Sequence, residues 1–326
     1  MEPRSGVAEH TVNPRVRHMT REPVVLVGVD GSKASLLAVD WAVAEAKRLG
    51  WRVHIVCIYS LPSFSGATLD GGYLALDDTQ IQAGARRVVD EAVARAGTGV
   101  VVTSAVETGD STGVLIELSR QAGLIVIGKE GGTAFADRLL GAVSTSLAPH
   151  AHCPTVMVPV HGEAKPLRLP VKRIVVGVDG STSAKVALKR AIQEAEVWDA
   201  ELTAVAAVPI AQGAGAMVWL PGNIDRDALL ADVREGLNVA VDQALGDSEV
   251  RVRRHALDGS PAALLTEFST AVDLLVVGTR GRGGFAGLLL GSTSQTVIAH
   301  SDCPVMVVPA KLEEEGAFPT RFPWQQ

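Results

Sequence analysis

The chain has 326 residues, of which 47% are hydrophobic and only 4% aromatic, and its formal net charge is −6. This length suffices for about two ordinary domains, and the aliphatic composition suits buried parallel strands flanked by helices. The acidic balance argues against a general nucleic-acid binder, which would carry a basic stripe. The three cysteines are too few, and odd in number, for a disulfide framework, and they fit a reducing compartment.

Neither end of the chain carries a pattern that predicts export or membrane insertion. Residues 1–22 are charged but lack the apolar stretch of a signal peptide. No run approaches the roughly 18 apolar residues of a membrane span. We therefore expect a cytoplasmic protein that does not contact a membrane.

An internal repeat organises the whole sequence. Three blocks recur in the same order with an offset of about 150 residues, which is the length of a domain rather than of a solenoid unit. The paired blocks are VVLVGVDGS at 24–32 with IVVGVDGS at 174–181, LIVIG at 124–128 with LLVVG at 274–278, and CPTVMVP at 153–159 with CPVMVVP at 303–309.

The repeat divides the chain into five parts. Residues 1–22 form a polar lead, 23–160 the first domain, 161–171 a linker with two prolines, 172–310 the second domain, and 311–326 a C-terminal tail. We refer to the two domains as copy one and copy two.

Each copy alternates short apolar runs with helical patterns. The first helix of copy one is expected to start after Ser32, to carry Leu37, Trp41 and Ala44 on one face, and to end at Gly50. This alternation predicts βαβ units and a parallel sheet, whose ligands bind beyond the carboxyl ends of the strands. The predicted strands are 24–29, 53–59, 100–106, 124–128 and 155–160 in copy one, and 173–178, 202–208, 250–256, 273–278 and 305–309 in copy two.

The first loop of interest follows the first strand of each copy. It reads Asp30-Gly31-Ser32 in copy one and Asp179-Gly180-Ser181 in copy two. The aspartate would stand at the carboxyl end of the strand, the glycine would permit a tight turn, and the serine would cap the next helix. Turn and capping chemistry alone would also explain this triplet.

The second loop follows the fourth strand and is richest in copy two. Its glycines between 281 and 287 let backbone N–H groups approach a ligand, and Arg280 and Arg282 supply positive charge. A helix is expected to open at Gly291-Ser292-Thr293, where its N-terminus would favour an anion. A surface loop would explain the glycines but not this order of strand, glycines, arginines and helix. The chain contains no P-loop motif, and the loose dinucleotide pattern starting at Gly281 follows the wrong strand.

These residues resemble a known family. The spacing Gly278-x2-Gly281-x9-Gly291-Ser292 is similar to the nucleotide-binding pattern of the universal stress protein family, ATP-binding class. The opening VGVDGS and closing CPVMVVP blocks resemble that family too. The resemblance implies an α/β fold of two tandem Rossmann-like (adenine nucleotide α-hydrolase-like) domains. Each would be a five-stranded parallel sheet of order 3-2-1-4-5 with helices on both faces.

The family also implies where a nucleotide would bind in copy two. ATP, often with Mg²⁺, would lie across the ends of strands one and four. Asp179 would be near adenine and ribose, and Ala207 would form part of the adenine wall. Gly278 and Gly281 would line the ribose and phosphates, and residues 291–294 would bind phosphate through backbone and hydroxyl groups. The expected site comprises Asp179, Gly180, Ser181, Ala207, Val277, Gly278, Arg280, Gly281, Arg282, Gly291, Ser292, Thr293 and Ser294.

Copy one departs from the pattern on the phosphate side. Ala142 replaces the serine after the last glycine, Glu130 stands in place of Arg280, and Gly132 in place of Arg282, with Lys129 partly offsetting Glu130. Each lost charge-assisted hydrogen bond would cost about 1.5–3 kcal/mol, so we expect a weaker or empty first site. Its matching residues are Asp30, Gly31, Ser32, Ile58, Gly128, Gly131, Gly141 and Ser144.

Three functions remain open at this point. The first is a nucleotide-dependent regulator of stress adaptation, growth or dormancy, acting through a regulatory protein partner and as a homodimer. The second is a slow ATP hydrolase, although no general base beyond Asp179 stands near the phosphate loop and we assign no catalytic residue. The third is a dimeric scaffold with vestigial sites.

His150, His152 and Cys153 supply too few ligands for a zinc site.

Overall fold

The computed structural model describes most of both copies. Five residues discussed above lie outside the part of the chain that it describes. Three of them are predicted site residues, Gly131, Gly141 and Arg282, and the other two are Glu130 and Gly132. The described residues are 22–60, 78–129, 142–160, 167–209, 225–281 and 289–310.

The two copies repeat one succession of strands and helices. Copy one contains β1 (Glu22–Val29), α1 (Lys33–Leu49), β2 (Arg52–Tyr59), α2 (Asp78–Ala96), β3 (Val102–Thr108), α3 (Ser111–Leu118), β4 (Ala122–Gly128), α4 (Ala142–His150) and β5 (Thr155–Val158). Copy two contains β6 (Arg173–Gly177), α5 (Thr182–Trp198), β7 (Glu201–Val208), α6 (Arg226–Leu245), β8 (Val252–Asp258), α7 (Pro261–Ser269), β9 (Leu274–Gly278), α8 (Ser292–His300) and β10 (Val305–Val308). Among the described helices, none is both long and apolar enough to cross a membrane.

The first helix begins and ends where its sequence predicts. The Ser32 side chain accepts a hydrogen bond from the Ser35 amide, and Gly50 adopts a left-handed conformation with φ 70°. The buried face of α1 differs from the predicted one, because Trp41 is fully buried whereas Leu37 and Ala44 are only half-buried. Small residues such as Ala38 and Ala42 complete that face, so α1 lies close to the sheet.

One ten-stranded sheet runs through both copies in the order β3-β2-β1-β4-β5-β10-β9-β6-β7-β8. Each copy contributes five parallel strands in the predicted order 3-2-1-4-5, which confirms the fold class. The two halves join through antiparallel pairing of β5 with β10, in which Met157 lies opposite Val305. The chain thus pairs its own two copies.

The hydrophobic core forms a layer on each face of this sheet. On one face α1, α2, α5 and α6 cover residues such as Val27 and Val176, and on the other α3, α4, α7 and α8 cover residues such as Leu26 and Val175. Both layers contain side chains from both copies. The strands are therefore buried on both faces, as expected for a parallel sheet covered by helices.

A buried polar cluster lies between α1 and α5, where the two copies meet. Glu194 accepts a hydrogen bond from Arg190 Nε at 2.7 Å, and the rings of Trp41 and Trp198 are 6.4 Å apart. Glu45 is fully buried. Burial, followed by the charge of Glu194, raises the pKa of Glu45 well above its ordinary value. Glu45 is therefore held in its neutral form far more than an exposed carboxyl.

Candidate functional site

A cavity of about 610 Å³ opens at the carboxyl ends of β6, β7 and β9 in copy two. β6 lies between β7 and β9 in the sheet, so the strand order reverses at the crevice between β6 and β9. This is the position at which parallel α/β sheets bind ligands. The volume lies within the roughly 300–1,000 Å³ that is typical of small-molecule sites.

Most predicted residues of copy two line this cavity. They are Asp179, Ala207, Val277, Gly278, Arg280, Gly281, Gly291, Ser292, Thr293 and Ser294. Gly180 and Ser181 are not among the lining residues. Sequence reasoning missed part of the apolar wall, namely Ala184, Val205, Pro209, Pro261, Leu265 and Leu290.

The Asp-Gly-Ser loop is built as a turn and a cap, as the structural alternative predicted. Ser181 accepts a hydrogen bond from the Ala184 amide at 3.1 Å, and the Ser181 amide donates to Asp179 Oδ1 at 2.9 Å. Gly180 has φ 81°, a conformation that favours glycine. Ser181 Oγ also donates to the Arg280 carbonyl at 3.2 Å, so the loops after β6 and β9 are tied together.

The three spaced glycines of copy two differ in what an added side chain would contact. A Cβ at Gly278 would lie 2.8 Å from the carbonyl carbon of Ser183, so glycine lets α5 approach the end of β9. A Cβ at Gly281 would lie 2.5 Å from Asp179 Oδ2. A Cβ at Gly291 would meet nothing closer than 3.5 Å, and φ there is −73°. Packing and backbone conformation therefore leave the glycine at 291 unexplained.

The N-terminus of α8 forms the far end of the cavity. Ser294 Oγ donates to the Gly278 carbonyl at 2.7 Å, so this hydroxyl holds α8 against β9 instead of pointing its hydrogen at a ligand. Within the described residues, no side chain caps α8. The amides of Ser292 and Thr293 are consequently available as donors, and the exposed Arg280 lines the same cavity.

Copy one has a smaller cavity, of about 170 Å³, at the equivalent place. Of the predicted residues, Asp30, Ser32, Ile58, Gly128 and Ser144 line it, and Gly31 is not among its lining residues. A Cβ at Gly128 would lie 2.7 Å from the carbonyl carbon of Ala34, which repeats the packing role of Gly278.

Side chains on the phosphate side of copy one are directed to the backbone or to the other copy. Ser144 Oγ donates to the Lys129 carbonyl at 3.1 Å. Lys129 is nine-tenths buried, and its Nζ lies 3.4 Å from the Ser301 carbonyl of copy two. The Lys129 side chain therefore contacts copy two across the boundary between the copies.

Thiol and imidazole groups do not gather into a metal site within the described residues. Cys57, Cys153 and Cys303 are buried and are not disulfide-bonded. Burial, with a contribution from Asp273, raises the pKa of the Cys303 thiol to about 12. A thiol with so high a pKa is a poor nucleophile and a poor metal ligand at neutral pH.

Sequence comparison places the chain in a family. A sequence model described as "Universal stress protein family" matches residues 23–159 and again residues 170–309. A universal stress protein of Mycobacterium tuberculosis is 31% identical over 319 residues, covering 90% of this chain and 97% of the relative. One from Mycolicibacterium smegmatis is 32% identical over 300 residues, covering 87% and 96%.

Structural comparison agrees with this placement. The crystal structure of a universal stress protein from Archaeoglobus fulgidus has a TM-score of 0.64 and 22% identity, and the match covers 89% of this chain and 99% of that one. It shares the fold of the tandem α/β sheet. The fold and the repeated glycine loop define a tandem α/β protein with one crevice per copy. The chain belongs to the universal stress protein family, as two family domains in one polypeptide.

Proposed function

We propose that copy two binds ATP in the cavity between β6 and β9, and that occupancy of this site regulates the protein's interactions. The observation that carries the proposal is the combination of an apolar cavity of about 610 Å³ with an uncapped helix N-terminus at its end. An apolar wall suits a purine ring, and free amides at a helix start suit phosphate oxygens.

The apolar part of the cavity would hold the base. Ala207 and Val205 on β7, with Leu265 on α7, form a wall against which a planar ring could stack. The exposed Asp179 carboxylate at the end of β6 is placed to accept hydrogen bonds from ribose hydroxyls. The small side chain at 207 leaves room for the ring.

The polar end of the cavity would hold the triphosphate. The amides of Ser292 and Thr293 would donate to phosphate oxygens, and Arg280 would supply a charge-assisted contact. Gly291 fits this arrangement, because a phosphate approaching the backbone explains a glycine that packing does not require. Mg²⁺ would neutralise phosphate charge when bound. Asp179 is the one carboxylate on the described lining, so the triphosphate itself would supply most of its ligands.

Occupancy would act on two loops at once. The loops after β6 and β9 are joined by the hydrogen bond from Ser181 to the Arg280 carbonyl. A nucleotide contacting Asp179 on one side and Arg280 on the other would favour one relative arrangement of these loops. A regulatory partner, or a second copy of the chain in a homodimer, would read that arrangement. Because ATP is abundant in the cytoplasm, we propose that the protein acts there.

The test compares ATP binding by the wild-type chain and by Gly281→Asp. The aspartate would place a second carboxylate against Asp179 Oδ2 at the phosphate end, so we expect ATP binding in copy two to be lost. Gly236→Asp is the matched control, since Gly236 is an exposed glycine of α6 whose added Cβ would contact nothing within 4 Å. Isothermal titration with Mg-ATP measures all three chains. Equal affinity of the Gly281→Asp and Gly236→Asp chains would refute the loop assignment.

A further inference from the structure

The two cavities occupy equivalent places but differ in volume, at about 170 Å³ in copy one and about 610 Å³ in copy two. Their strands are in the same register: Gly28 pairs with Val56 in copy one, and Gly177 pairs with Val205 in copy two. The equivalence of the surrounding positions is therefore fixed by the backbone. The larger cavity is also lined by Arg280, Gly281, Leu290 and Gly291, and their copy one counterparts lie outside the described residues. The strand and helix walls are the part that can be compared between the copies.

The position two residues beyond each valine differs most in size. It is Ile58 in copy one and Ala207 in copy two, and each lines its cavity. Because strand residues alternate, these side chains point to the same face of the sheet as Val56 and Val205. Isoleucine adds three carbon atoms to the wall that the alanine leaves open.

Two further wall positions are closely matched, whereas Ser111 of copy one stands where copy two has Pro261. Leu115 corresponds to Leu265, and Ile127, which corresponds to Val277, adds a single methylene group. Ile58 packs against the hydrophobic layer that contains Leu115, which holds it in place. Its β-branched side chain also has few rotamers with which to move aside.

We propose that Ile58 is a specificity-determining residue that closes the copy one site to the purine base, so that the chain binds one nucleotide, in copy two. The proposal rests on the proposed function of copy two. It attributes the difference in nucleotide binding between the two copies to the base side of the site. The substitutions Glu130 and Ala142 act separately, on the phosphate side.

Reciprocal substitutions test the steric claim. Ala207→Ile should weaken Mg-ATP binding in copy two by about 5- to 150-fold, because overpacking a full site costs about 1–3 kcal/mol. Ala240→Ile is its control, since Ala240 is a half-buried alanine of α6 outside the cavity. An Ala207→Ile chain that binds ATP as tightly as Ala240→Ile would overturn the proposal.

The converse substitution uses adenosine, which has no phosphate and so is insensitive to Glu130 and Ala142. Ile58→Ala should bind one more adenosine per chain than Ile116→Ala at saturation in equilibrium dialysis. Ile116 is a matched control, because it is a half-buried isoleucine packed on the same layer but outside the cavity. Equal adenosine binding by these two variants would contradict the proposal.

Titration of the wild-type chain with Mg-ATP distinguishes failure of the proposed function from failure of the proposal for Ile58. A wild-type chain that binds no ATP refutes the proposed function itself. A wild-type chain that binds two ATP molecules leaves the proposed function standing and refutes the closure of copy one by Ile58. One ATP per chain, lost in Ala207→Ile, supports both.

Discussion

Acid should destabilise copy one through a single buried histidine. His54 on β2 is fully buried, lies beside Leu26 in the sheet, and has Nδ1 2.8 Å from Thr103 Oγ1. Burial, followed by the charge of Arg52, lowers the pKa of His54 from 6.5 to about 4. Between about pH 4 and pH 6.5 the imidazole is therefore mostly neutral in the folded protein and mostly protonated in the unfolded chain.

The sign and size of the effect follow from proton linkage. Between pH 6.5 and 4 the unfolded chain binds more protons than the folded one, so the free energy of unfolding falls as the pH falls. The pKa difference, 6.5 minus about 4, at about 1.4 kcal/mol per pH unit, limits the loss to about 3 kcal/mol. By pH 5 about 2 kcal/mol of this should already be lost.

Urea unfolding at pH 8 and pH 5 measures this loss. His54→Gln retains a hydrogen-bonding group near Thr103 but does not titrate, so its unfolding free energy should fall less between the two pH values than that of the wild type. His300→Gln, at an exposed histidine, should keep the wild-type difference. If His54→Gln loses as much stability on acidification as the wild type, the buried neutral imidazole is not the cause.

Four further substitutions address the boundary between the copies and the glycines. Glu45→Gln should remove a loss of stability that grows as pH rises above 4.5, since the pKa of Glu45 is raised in the folded state; a wild-type pH profile in the variant would contradict this. Arg190→Met should lower the unfolding free energy by about 3–5 kcal/mol in urea titrations, because it removes the cation beside a buried carboxylate; a neutral result would show that the cluster is not ionised. Gly278→Ala should destabilise the chain by about 1–3 kcal/mol, whereas Gly291→Ala should leave the melting temperature unchanged and weaken ATP binding; the reverse pattern would exchange their assigned roles.

Helix ends could be predicted from the sequence because they depend on local patterns that occur twice. The block VGVDGS places an apolar strand, a left-handed glycine and a helix cap within a few residues, and Ser32 and Ser181 both cap as expected. The same local reasoning correctly placed the start of α8 at Gly291. Family resemblance then supplied the strand order, which local patterns alone do not specify.

Other parts of the site depend on contacts between distant segments. Leu265 lines the cavity only because α7 crosses the sheet beside β6, and its own sequence context is that of any amphipathic helix. The hydroxyl of Ser294 was expected at a phosphate but donates to the Gly278 carbonyl, 16 residues earlier. Likewise, the unequal sizes of Ile58 and Ala207 were visible in the sequence, yet their places on the two cavity walls required the register of the sheet.

The polar cluster between α1 and α5 was also missed, although it left a signal. Glu45 and Glu194 occupy equivalent positions in the repeat, on the otherwise apolar faces of their helices. A charged residue repeated on a buried face indicates a contact between the copies. The antiparallel pairing of β5 with β10 brings the two faces together.

The nucleotide content of the purified protein tests the central proposal most directly. The chain is purified without added nucleotide, denatured, and its extracted ATP and ADP are quantified per chain by mass spectrometry, with the Gly281→Asp chain treated in parallel. We expect about one adenine nucleotide per wild-type chain and none in the variant, with ADP in place of ATP indicating slow hydrolysis. No nucleotide in the wild type, together with no thermal shift on addition of Mg-ATP, would contradict the proposal and favour a scaffold with vestigial sites.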